Sequence, residues 1–145
     1  MPITTLINYL QPYYSIGSIH PQKEFNLYEK DSHGNNLHSY HIYVSFSPAN
    51  STIFFSVYYE KKENWKTEYL NARNRSNAIQ QAMQNDPRWA GICNALNLNA
   101  NCFGVWHLTQ AHGDCKFTVA NHNVPPNAIQ LSRIKELVDM IFTNF

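Results

Sequence analysis

The chain has 145 residues and a formal net charge of +1; 43% are hydrophobic, 14% aromatic and only 14% charged, where soluble domains carry about 25% charged residues. So small a charge excludes a nucleic-acid binder driven by bulk electrostatics, whose footprint is a strongly basic domain, and the aromatic content excludes a disordered chain. Polarity comes from amides instead, with 18 Asn. A chain of this length is expected to form one domain, residues 1–145, burying about 68–70% of its unfolded surface.

No apolar run approaches the about 18 residues of a membrane span, and the N-terminus lacks the basic-then-apolar form of a signal peptide. Cys93, Cys102 and Cys115 are three, so at least one thiol stays unpaired within a monomer, which fits a reducing cytoplasm better than secretion.

In chain order, Pro2 to Leu10 reads as a short helix, with Ile3, Leu6, Ile7 and Leu10 on one face and Pro12 as its stop. Tyr13 to His20 reads as a loop. Phe25 to Lys30 reads as a short strand before the turn-rich Asp31-Ser32-His33-Gly34-Asn35-Asn36. From His38 the pattern is clearest: Tyr40, Ile42, Val44 and Phe46, then Ile53, Phe55, Val57 and Tyr59, alternate with smaller or more polar neighbours across a Pro48-Ala49-Asn50 reversal. A period of two in β-branched and aromatic residues predicts a hairpin with one buried face, at the middle of an antiparallel sheet.

Trp65, Thr67 and Tyr69 alternate as a further strand would, although Trp65, Tyr69 and Ala72 also fit one helix face; the turn-prone Asn71 to Arg75 favours the strand. Ser76 is positioned to cap a helix carrying Ile79, Ala82 and Met83. Asp86-Pro87 ends that helix and starts another bearing Trp89, Ile92, Cys93 and Leu96. Phe103 to Gln110 and Cys115 to Ala120 predict a second hairpin turned by Ala111-His112-Gly113-Asp114. The final helix is amphipathic, with Ile134, Leu137, Val138, Ile141 and Phe142 on one side and a capping box between Asn127 and Gln130. The expected fold class is α+β: an antiparallel sheet of about five or six strands, helices packed mainly on one face, and a C-terminal amphipathic helix. This element order and size resemble those of the bacterial type III secretion chaperones. The resemblance covers no motif, and the charge departs from the acidic character typical of that family; it implies a chaperone-like alternative within the protein-binding class.

Cys93, Cys102, His107, His112 and Cys115 crowd together, but none of the closely spaced ligand pairs of structural zinc sites is present, so no metal and no cofactor is expected. A Cys–His pair such as Cys102 with His107 lacks its usual local signatures. His107 and His112, with Lys116 to stabilise phosphate charge, are the candidate catalytic residues for a metal-independent nuclease or related hydrolase, because imidazole titrates near neutrality and serves as acid or base. His38 and His41 stand three apart on a strand and point to opposite faces. The second face of the central hairpin departs most from a solvated sheet: it should carry Tyr43, Phe54 and Tyr58 beside His41, the candidate partner-binding residues. The leading expectation is a small cytoplasmic protein-binding module, an inhibitor or immunity-type protein that neutralises a toxin, effector or defence enzyme. A homodimer stays open, membrane contact is not expected, and nucleic acid is disfavoured by the charge.

Overall fold

The computed structural model describes residues 2–20, 22–98, 103–119 and 125–145. Six strands form one antiparallel sheet: β1 (Ser15–His20), β2 (Glu24–Tyr28), β3 (His41–Ser47), β4 (Thr52–Glu60), β5 (Val105–Leu108) and β6 (His112–Val119), ordered β1-β2-β3-β4-β6-β5. The helices are α1 (Pro2–Leu10), α2 (Trp65–Asn74), α3 (Ser76–Gln84), α4 (Trp89–Leu96) and α5 (Ala128–Asn144).

The central hairpin β3–β4 pairs Ile42 with Val57 and Val44 with Phe55, and these four side chains are fully buried. Leu27 on β2 and Cys115, Phe117 and Val119 on β6 extend the same face. The helices supply the facing layer through Ile3, Leu6, Ile79, Met83 and Ile92, and α5 through Ile134, Leu137, Val138, Met140 and Ile141. The predicted capping box is present on α5: Gln130 N–H donates to the Asn127 side chain at 2.8 Å, and Asn127 N–H donates back to the Gln130 side chain at 3.0 Å. Polar ties hold α5 in place: the Tyr14 hydroxyl donates to Asp139, and the Tyr40 hydroxyl donates to the Ile141 carbonyl at 3.3 Å.

Three elements differ from the sequence reading. Trp65 to Tyr69 is helix, not strand. Both edges of β4 are already taken by β3 and β6, so a strand here could not pair back onto β4, whereas a helix closes its own hydrogen bonds and buries Tyr69 and Ala72 together. Ser15 to His20 is a strand rather than a loop, pairing the outer edge of β2; a register shift between Gly17 and His20, with Ser18 at a φ of 50°, breaks the alternation that would have marked it.

The second hairpin exists, but β6 starts at His112, so the turn is Thr109 to Ala111. The Thr109 hydroxyl accepts from Ala111 and His112 N–H at 3.2 and 3.1 Å and does the work assigned to Gly113-Asp114. Gly113 is glycine for another reason. A Cβ there would fall 2.5 Å from the Tyr69 ring, so α2 could not seat against β6.

Candidate functional site

Because strand side chains alternate, fixing Val44 and Phe55 in the core fixes the opposite face as well. Across β3 and β4, His41 stands opposite Tyr58, Tyr43 opposite Ser56, and Ser45 opposite Phe54. Across β4 and β6, Tyr58 stands opposite Asp114, Ser56 opposite Lys116, and Glu60 opposite His112; across β5 and β6, His107 stands opposite Asp114. His41, Tyr43, Phe54 and Tyr58 are all half-buried on this second face, while the buried helix side chains belong to the core on the other side. Among the described residues, the sheet thus has a face covered by helices and an open one.

A row of rings crosses the strands of the open face. Tyr28 lies 5.4 Å from His41, His41 5.5 Å from Tyr58, and Tyr58 4.5 Å from His112 in a near-parallel stack of 15°. Tyr43 joins from the side, 5.6 Å from Tyr58. Such spacings are those of favourable aromatic pairs. Burial between Tyr28 and Tyr58 pulls His41 below the ordinary imidazole range, the Glu60 carboxylate opposing the effect and Lys61 adding to it. Phe54 is not part of the row; the Lys116 ammonium lies over its ring at 5.0 Å. A cleft of about 360 Å³ lies beside the row, bordered by Asn26, His41, Tyr43, Tyr58 and Glu60.

At the β5–β6 end the chemistry changes from rings to proton-carrying groups. His107 Nδ1 and His112 Nε2 each approach the same oxygen of Asp114, Oδ1, at 3.9 Å. The Asp114 carboxylate is only 6% exposed, against 51% for His107 and 28% for His112. Burial pushes the Asp114 carboxyl above its usual range, and His107, Lys116, His112 and a hydrogen bond from Ser56 pull it back. The arrangement can orient two imidazoles around one carboxylate, with an ammonium close by.

The structure therefore brings His107, His112 and Lys116 to one end of the open face, and His41, Tyr43 and Tyr58 to the middle, with Phe54 beside Lys116. His38 lies on the covered side, stacked on Phe142 at 5.1 Å and paired with Glu29 at 2.7 Å. Cys93 and Cys115 are buried free thiols, and burial raises the Cys93 thiol and pushes the Cys115 thiol well above the ordinary range. Cys102 lies outside the described residues, and with it the Cys102–His107 pair. Among the described residues, no group of three or more His, Cys, Asp and Glu side chains is disposed to hold a metal ion, and no helix is long and apolar enough to cross a membrane.

Comparison with known protein families, curated proteins and solved structures returns no match to the chain.

Asp114 and Tyr28 escaped the sequence reading as site residues. The signal for Asp114 was available: His112, Asp114 and Lys116 repeat at a period of two and therefore share one strand face. Assigning residues 111–114 to a turn concealed it.

Proposed function

We propose that the chain is a cytoplasmic protein-binding module, of inhibitor or immunity type, that seats a toxin or defence enzyme on its open sheet face. The observation that carries this reading is the ring row: Tyr43 and Tyr58, with His41, lie half-buried on a face that no helix among the described residues covers. A sheet face left to water is ordinarily polar, and keeping several rings there does not serve the core. Tyr is suited to such a place because it offers a rigid apolar ring with a polar tip, tolerating water when free and anchoring a partner when bound. The low charge favours shape and ring packing over long-range steering as the source of affinity.

The test is site-specific photo-crosslinking in cells, with a photoreactive phenylalanine at Tyr43 and, as control, at Leu70, which is 39% exposed on the helical layer. The expected result is a discrete covalent adduct with another protein from position 43 and none from position 70. The same adducts from both positions, or none from 43, would overturn the reading.

A further inference from the structure

We propose that the β5–β6 end of the open face is an acid–base site that cleaves phosphodiesters carrying a neighbouring hydroxyl, with short single-stranded RNA as the substrate class. This goes beyond partner binding and does not rest on it.

Three observations carry the inference. His107 Nδ1 and His112 Nε2 converge on one carboxylate oxygen, each at 3.9 Å, which brings two imidazoles to one place on the sheet. The His107 ring is 51% exposed and the His112 ring 28%, against 6% for the carboxylate between them, so substrate meets the imidazoles and Asp114 acts through them as a positioning residue. Folding alone gives little reason to keep a carboxylate at 6% exposure in a sheet, since a buried ionised group is costly unless its charge is used.

The set of groups also selects the chemistry. Two proton-transfer groups and one ammonium face this end of the sheet, and the described hydroxyls and thiol beside them are held in other contacts: Ser56 is 2% exposed and engaged with Asp114, Cys115 is fully buried on the core side, and the Thr109 hydroxyl, 3.2 Å from His112 Nδ1, is tied into its turn by Ala111 and His112 N–H. A substrate that brings its own nucleophile fits this set, and the ribose 2′-hydroxyl is such a group. One imidazole, entering neutral, takes the 2′-hydroxyl proton. The freed oxygen bonds to phosphorus, the bond from phosphorus to the 5′-oxygen breaks, and that leaving oxygen takes a proton from the other imidazole, which enters protonated. The products are a 2′,3′-cyclic phosphate and a free 5′-hydroxyl, with no metal or second reactant in the balance. Lys116 is placed to offset the charge that gathers on the phosphoryl oxygens. Tyr58, stacked on His112 at 4.5 Å, offers a ring on which a base can lie, and such stacking tolerates any sequence. The near-neutral chain makes binding to long RNA weak, so a dinucleotide is the appropriate probe.

The experiment follows cleavage of uridylyl-adenosine and of its 2′-deoxy counterpart by the full chain and by identically purified variants. The expected result is cyclic phosphate from the ribose substrate alone, with a rate that passes through a maximum as pH is varied. His107→Ala and His112→Ala should each lower the rate by about 10²–10⁴-fold with the melting temperature kept; His107→Gln and His112→Gln replace either variant that does not fold. Asp114→Asn, which keeps the shape and removes the charge, should move the rate maximum to lower pH. No cyclic phosphate from folded wild type, equal cleavage of the deoxy substrate, or an unchanged rate in either histidine variant would overturn the proposal. None of these results bears on the crosslink from Tyr43, because the assay contains no partner.

Discussion

Phe54 and Phe55 are neighbours on β4 and have opposite fates. Phe55 is fully buried between the sheet and the helical layer; Phe54 lies half-buried on the open face under the Lys116 ammonium. The same contrast runs along the strand, with Val57 in the core and Tyr58 in the ring row. On the covered face, residue choice follows burial: aliphatic and aromatic side chains with little or no exposed surface. The open face instead holds a nearly buried carboxylate, two histidines drawn to it and a chain of rings. Packing does not require any of these. The difference teaches where to look for function in a chain whose composition is otherwise that of a folded domain: in side chains whose presence the core does not explain.

The largest expected effect breaks or sharpens this contrast directly. Phe55→Ala removes a side chain at 0% exposure and should cost about 3–5 kcal/mol, from lost transfer free energy plus the cavity left behind. Phe54→Ala, one residue away, should cost about 1 kcal/mol or less, because water already reaches that ring. Chemical denaturation of the two variants side by side measures both. Equal losses would mean that the open face is a second core.

A smaller effect concerns His41, where the ring row meets acid. Its folded value is pulled down by desolvation, so between that value and the ordinary imidazole pKa of about 6.5 the unfolded chain holds more protons than the folded one. Stability therefore rises with pH through this window and is lost as pH falls below the ordinary value. Thermal melts at pH 7.5 and 5.5 should show a smaller acid-induced drop for His41→Gln than for wild type. An equal drop in both would show that the ring row does not desolvate the imidazole.

Much of the covered face was legible in the sequence, because burial writes a period into the chain. Ile42, Val44, Phe55 and Val57 alternate, and Ile134, Leu137, Val138 and Ile141 recur at helical spacing. The failures have physical causes. At Trp65 to Tyr69 both periods fit, and only the occupied edges of β4 decide between them. At Ser15 to His20 the irregular pairing near Ser18 removed the alternation. Candidate residues were legible one at a time, as the rings of β3 and β4 and the histidines of the second hairpin. Their meeting was not, since β5 reaches Asp114 only by pairing with β6. The role of Gly113, and thus the start of β6, depended on the Tyr69 ring from a distant helix.

The most direct test of the open face as the binding surface is the affinity of Tyr43→Ala and Tyr58→Ala for the partner identified by crosslinking, measured alongside their melting temperatures. Truncating an anchoring ring commonly costs at least about 2 kcal/mol of affinity, or about thirtyfold. The account predicts a loss of that size in at least one of the two variants, with the melting temperature little changed. Wild-type affinity in both, with the fold intact, would contradict it.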